Sequence, residues 1–481
     1  MKSFKEKVKR LCLTLNSFSN PYLFYFYLIF ISAMFLVSGC AHYTVNQPIT
    51  QVDPDSGYRG KFMGQPDNSD ELLLYLTFSG GGTRAAAFSY GVLEELRKTE
   101  VTMNGKPSRL LDEVDAISAV SGGSFTAGYY GLFGERIFDD FEARFLKKNI
   151  LGALIRRIFL NPVNWVRLFS PYFDRSDLAA EYYNKHVFDG MTFGDIAARK
   201  GPMILINATD MITGIRLAFN QDSFDVICSD VSKFPVARSA AASSAVPILL
   251  TPITLRNYAG SCGYTLPEKL ETILREQDVT KREFHFLNNV RPYLEVDKTK
   301  YIHLVDGGVA DNLGLRAALD RVLALGGVWE TLQYVGLENT HKVVFIVVNA
   351  ETEVSRSWSL FGKPPAFAAM LNSYSSIAIT RYNFETVMLL RESFYRWTEE
   401  IQKNRCAGKP ISTEPGACGD VKFYLIEVKF DAFKDEAERK YFKSLPTSFK
   451  LSEEEVDKLR DAAHRILTQS GEFQQLLNDL R

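Results

Sequence analysis

At 481 residues, with 46% hydrophobic and 23% charged residues and a formal net charge of −1, the chain has the make-up of a globular protein. It is long enough for one large α/β domain with insertions. The balanced charge supplies no basic field, which argues against nucleic acid as a partner. The cysteines form no CxxC pair, the histidines are scattered and no D-x-D-x-D-G loop occurs, so neither a metal nor another cofactor is expected.

Taken in order, the chain opens on Lys2, Lys5, Lys7, Lys9 and Arg10 against Glu6, followed by an uncharged apolar run to Ala41. That pattern predicts a secretory signal over residues 1–39. Val37-Ser38-Gly39-Cys40 resembles a bacterial lipobox, which implies lipidation of Cys40. Ala41 in the next position implies export to the outer membrane of the cell envelope. The alternative is an uncleaved helix anchored in the inner membrane, since the apolar run is nearly long enough to span. Loss of the signal takes away five bases and one acid and leaves about −5 on the body. Membrane contact then has to come from the anchor or from apolar surface. Residues 40–71, rich in Pro, Gly and Asp, read as a tether.

Apolar runs at 72–78, 114–119, 203–208, 215–219, 301–305, 343–349 and 423–428 are the strand candidates. Their continuous β-branched and leucine character suits strands covered on both faces, and the helical patterns between them predict a mostly parallel sheet inside an α/β sandwich. Three segments break the rhythm. Residues 150–173 are apolar and aromatic, with Arg156, Arg157 and Arg167 interspersed. They read either as an interfacial element with snorkelling arginines or as a helix packed on the core. Residues 266–300 are highly charged and read as a surface insertion. Residues 357–376, with a double proline and several aromatics, suit a flap. The division expected is a core over 72–350 and a C-terminal part of the same domain over 351–481. A closing helix begins at the capping-box pair Ser452 and Glu455. Cys406 and Cys418 bracket a loop that a disulfide would close in an oxidising compartment.

The chemistry concentrates in three turns. Gly80-Gly81-Gly82-Thr83-Arg84 follows the first strand and opens a helix. Adjacent glycines turn successive amides into one concavity, and the helix dipole adds positive charge, so the loop suits an anion. GGGTRA also fits the loose dinucleotide pattern. The second strand, however, ends in Ser118-Ala119-Val120-Ser121-Gly122-Gly123, without the acid that would hold a ribose. Ala119-x-Ser121-x-Gly123 is close to a nucleophile elbow, and the Gly122 amide is placed to join the glycine loop as an oxyanion donor. A serine nucleophile needs a base. His303 and Asp306 lie on opposite faces of one strand and form no relay. Asp306, ending that strand before Gly307 and Gly308, is the simplest partner if a dry pocket raises its pKa. Taken singly, each motif has a plainer reading: Ser121 as a helix N-cap, Asp-Gly-Gly as a strand-ending turn, Arg84 as half of an ion pair.

In this order the three motifs resemble the patatin-like phospholipases. Ala237-Arg238-Ser239 through Pro247, and Asn207-Ala208-Thr209-Asp210 before Thr213-Gly214, resemble further segments of that family. The resemblance covers roughly 72–350 and implies a three-layer sandwich with a nucleophile elbow. By it, Ser121 is the nucleophile, Asp306 its activator, and Gly81, Gly82, Thr83 and Gly122 the oxyanion hole. Gly80, Arg84, Gly307 and Gly308 then play supporting parts. It implies hydrolysis of lipid acyl esters through an acyl-enzyme, with membrane lipid or another acyl ester as substrate. Two departures stand out: Ala119 replaces a glycine at the elbow, and Ser79 stands where the family often has aspartate. A thioesterase or short-chain esterase using the same dyad, and a catalytically idle lipid-binding lipoprotein, are the alternatives. Headgroup preference and oligomeric state are not encoded in any motif.

Overall fold

A central sheet carries the molecule, and its strands are the apolar runs. The computed structural model describes Tyr25 and residues 41–63, 68–103, 105–246, 249–353, 359–360 and 362–481. The rest of the signal segment, Cys40, Pro247 and part of the expected flap lie outside these residues. Among the described residues no helix is long and apolar enough to cross a membrane.

The chain divides into two compact units, one of residues 1–44 with 155–175, the other of residues 45–154 with 176–481. The larger unit contains β1 (Leu72–Phe78), β2 (Glu100–Met103), β3 (Lys106–Arg109), β4 (Val114–Val120), β5 (Met203–Asp210), β6 (Arg216–Ala218), β7 (Ile253–Arg256), β8 (Tyr301–Val305), β9 (Lys342–Asn349) and β10 (Lys422–Lys429). Among the described residues the main sheet runs β10-β9-β1-β4-β5-β8-β7, with β6 also on β5. From β10 to β5 every pairing is parallel. β1 and β4 are buried at every position, the expected behaviour of strands covered on both faces. β6, β7 and β8 pair antiparallel, so the sheet is mixed at one end.

That reversal positions the site. β8 meets β5 head-on, Val305 beside Thr209 and Leu304 beside Asp210. The turn after Val305 therefore returns along β5 toward Asn207, whose register partner on β4 is Val120. Residues far apart in sequence meet at one strand end.

Helices α1 (Gly82–Lys98) and α2 (Gly122–Phe133) pack on each other and on the sheet. The capping box of Ser452 and Glu455 opens the closing helix Glu453–Gln469, which packs along α1. A second C-terminal helix, Gly471–Asp479, is capped separately by Ser470. The charged insertion is two helices, Glu268–Glu276 and Arg282–Leu294. It is not wholly superficial: Tyr293 is buried, and its hydroxyl donates to Asp210 Oδ2 at 2.8 Å. The second half of the expected flap starts a 40-residue helix, Phe367–Cys406. Among the described residues two disulfides are formed, Cys228–Cys262 and the anticipated Cys406–Cys418, with Cα atoms 5.5 and 5.1 Å apart.

Candidate active site

Ser121 sits between β4 and α2 with φ 48° and ψ −118°. This conformation is unfavourable for an L residue by ~1–2 kcal/mol. Close approach explains the small residues around it. A Cβ on Gly122 would lie 2.0 Å from the Gly82 carbonyl oxygen, and one on Gly123 2.7 Å from Phe78 Cβ. Ala119 is fully buried and the turn accommodates it. Ser121 N–H donates to Ser243 Oγ at 2.8 Å, and that hydroxyl donates to the Asn207 carbonyl at 2.6 Å. Ser124 Oγ closes the first turn of α2 on the Ser121 carbonyl at 2.5 Å.

The glycine loop crosses directly over this turn. Gly81 has φ 142° and Gly82 φ 59°, conformations that exclude a side chain. A Cβ on Gly82 would stand 2.5 Å from the Ser448 carbonyl oxygen. Among the described residues the amides of Gly81, Gly82 and Gly122 have no protein acceptor. They are orphan donors at the starts of two helices. Two neighbouring amides are committed elsewhere. Gly80 donates to the Asn312 carbonyl at 3.0 Å, and Thr83, expected as a further oxyanion donor, gives its N–H to the Ser448 carbonyl at 2.9 Å.

Arg84 is buried and meets no carboxylate. Its Nε donates to the Ala350 carbonyl at 2.9 Å, Nη1 to the Leu445 carbonyl at 2.7 Å and Nη2 to Thr447 Oγ1 at 3.0 Å. Burial lowers its pKa to about 9. The arginine thus ties the loop to the end of β9 and to residues 445–448. Ser79 compensates for the missing aspartate: its Oγ accepts from Ala350 N–H at 2.9 Å.

Asp306 follows β8 as expected and faces the elbow. Gly308 N–H donates to Oδ1 at 2.7 Å, and both that bond and the nearby Ser121 side chain favour the charged carboxylate. Burial outweighs both and raises its pKa to about 6. Gly307 is required by contact, since a Cβ there would lie 2.3 Å from the Asn207 carbonyl oxygen. Gly307 N–H also donates to the Ser243 carbonyl at 3.0 Å, while Thr209 Oγ1 donates to the Asp306 carbonyl at 2.8 Å. His303 points away and meets Thr254 at 3.1 Å.

Sequence reasoning missed Ser243, Asn312 and Ser448. Ser243 touches both the elbow and the aspartate turn, but within Val236–Ser243, an alanine-rich helix, it reads as filler. The other two act through backbone carbonyls, which leave no mark in sequence.

A cavity of about 400 Å³ lies elsewhere in the same unit, and neither Ser121 nor Asp306 lines it. Leu73 and Tyr75 of β1, Leu205 of β5 and Phe345 of β9 form its floor, and Leu287 and Val290 of the insertion form part of its wall. Its charges are paired internally, Arg216 with Asp320 at 3.0 Å and Arg321 with Asp222. The amides without acceptors lie around Ser121 and not among the residues that line this cavity.

The site thus combines a serine on a strained strand-to-helix turn, orphan amides above it and a half-buried carboxyl on the neighbouring turn. The family model for Patatin-like phospholipase matches residues 76–319, and the chain belongs to that family. No curated protein sequence matches the chain significantly. Among solved structures, human GIVD cytosolic phospholipase A2 aligns with a TM-score of 0.42 and 12% identity. The alignment covers 88% of this chain but 64% of that one, less than two thirds of its length.

Proposed function

We propose that the protein is a serine lipid acyl hydrolase of the envelope. Ser121 Oγ attacks the ester carbonyl carbon while Asp306 accepts the hydroxyl proton. The amides of Gly81, Gly82 and Gly122 hold the resulting oxyanion. Collapse of the tetrahedral intermediate breaks the ester bond, and Asp306 returns the proton to the leaving alcohol. Water, deprotonated in turn by Asp306, then attacks the acyl-enzyme; collapse breaks the Ser121 Oγ–acyl bond, Asp306 returns the proton to Oγ, and the fatty acid leaves. The observation that carries this reading is Ser121 at positive φ beneath amides without acceptors, with Ser243 tying its turn to that of Asp306, whose carboxyl is raised to about 6. A carboxyl that titrates near 6 is a far better base at neutral pH than one in water.

The domain division inferred from sequence, a core over 72–350 continued by 351–481, belongs to the same proposal. So does export as a lipoprotein through Cys40. Two formed disulfides support an oxidising compartment. Mass spectrometry of the mature N-terminus tests the anchor: a diacylglyceryl-modified Cys40 is expected, and an unmodified peptide across residue 40 contradicts it.

Release of fatty acid from long-chain phospholipid vesicles is the functional test. Wild-type protein is expected to hydrolyse them, and Ser121→Ala and Asp306→Asn are expected to be inactive yet folded. Faster turnover of soluble short esters or thioesters than of vesicles would move the assignment to an esterase or thioesterase with the same dyad. No turnover of any ester would leave a lipid-binding lipoprotein.

A further inference from the structure

Residues 41–44 and 155–175 form a unit of their own, and its surface is unusual for a water-facing one. Phe159, Leu160, Val163, Trp165, Phe169 and Tyr172 are 63, 73, 64, 48, 69 and 59% exposed. They fall within two short helices, Ile150–Phe159 and Pro162–Leu168, the link between them and the turn that follows. Six large apolar side chains exposed within fourteen residues mark an interaction surface.

The charge of the patch differs from that of the rest of the chain. Residues 155–175 hold Arg156, Arg157, Arg167 and Arg175 against Asp174, in a chain of net charge −1. Arg167 lies over the Phe173 ring at 4.0 Å. Apolar and aromatic side chains interleaved with arginine suit the headgroup boundary of a bilayer, where the rings sit at the interface and the cations meet phosphate.

A third observation bears on the occupant. The chain just after Cys40 is fastened to this patch. Ser170 Oγ donates to the Ala41 carbonyl at 2.6 Å, Tyr43 N–H donates to the Tyr172 carbonyl at 2.7 Å, and the His42 and Tyr172 rings are 5.2 Å apart. An acyl group on Cys40 would therefore start one residue from the patch.

We propose that residues 155–175 are a bilayer-docking element. It seats its aromatic and aliphatic side chains in an anionic lipid surface. The inference does not depend on Ser121 being a nucleophile.

Trp165 gives a direct readout in the full chain. Vesicles of phosphatidylcholine and phosphatidylglycerol carrying brominated acyl chains quench tryptophans that enter the bilayer. Quenching is expected for wild type and for Ser121→Ala alike, and is expected to fall at least twofold in Trp165→Phe. The quenching is also expected to weaken severalfold on vesicles of phosphatidylcholine alone, and similarly in an Arg156→Gln, Arg157→Gln, Arg167→Gln variant. Equal quenching of wild type and Trp165→Phe would overturn the proposal. So would a Trp165-dependent blue shift that appears without lipid as protein concentration rises, which would assign the face to a second copy.

Discussion

The turn cluster around Ser121 and the apolar cavity lie in the same unit but are built on opposite principles. The turn cluster is nearly solid. Its glycines are so close to neighbouring carbonyls that no Cβ fits, one serine is held at positive φ, and a half-buried carboxyl is raised toward neutrality. The cavity is roomy and apolar, and its charges are neutralised in pairs. Orphan amides and a perturbed acid are why we propose the turns as the site, because reactivity needs unsatisfied donors and a shifted pKa rather than space.

The two regions share one link. Arg216 lines the cavity, pairs with Asp320, and donates from Nη1 to Asn207 Oδ1 at 2.9 Å. Asn207 Nδ2 in turn donates to Ser118 Oγ at 2.9 Å and to the Ala119 carbonyl at 3.1 Å, just before the elbow. The sheet thus connects the cavity to the elbow through polar contacts that are already satisfied.

Substitutions break the comparison in descending order of effect. Ser121→Ala and Asp306→Asn are expected to lower kcat/KM on a phospholipid by ~10³-fold or more, with circular dichroism unchanged. Gly122→Ala forces a Cβ against the Gly82 carbonyl. It is expected to lower kcat by roughly 10²–10³-fold through the oxyanion site and to destabilise by about 1–3 kcal/mol, both read on one preparation.

The pH profile should show the buried acid directly. The carboxylate is the active form, so kcat/KM is expected to rise with pH through an apparent pKa of about 6. Stability moves the other way: a raised folded-state pKa favours the fold while the group is protonated, and that share is lost as pH rises through the same value. A flat profile between pH 5 and 8 would remove Asp306 as the base.

Two smaller effects sharpen the contrast. Ser121→Gly relieves the positive φ that Ser121→Ala retains, so it should be more stable than the alanine variant by ~1 kcal/mol in denaturant titration. Ala318→Leu adds volume inside the cavity. It is expected to leave kcat/KM within about twofold and to change stability by under ~1.5 kcal/mol.

Much of this was legible in the residues, for physical reasons. β1 and β4 read as buried strands because continuous apolar runs have no solvent face to mark. The Gly80–Gly82 turn, the Ser121 elbow and the Asp306 turn read as a set because close backbone approach restricts residue choice at each. The reversal of β8 was not legible, since side-chain alternation is the same in both strand directions. Nor was Thr83's commitment to Ser448, a contact between backbone groups 445–448 supplies from beyond the family match. The flap reading of 357–376 rested on prolines and aromatics, and tertiary packing draws its second half into the long helix Phe367–Cys406. The insertion at 266–300 read as surface because its charge outweighs the few residues, Leu287 and Tyr293 among them, that it buries.

The measurement closest to the central claim is covalent labelling with a fluorophosphonate probe followed by peptide mapping. We expect one adduct, on Ser121, formed readily at pH 8 and slowly at pH 5, and absent in Asp306→Asn. Labelling at another serine, or none at all in folded wild-type protein, would contradict the assignment of Ser121 and Asp306 as the reactive pair.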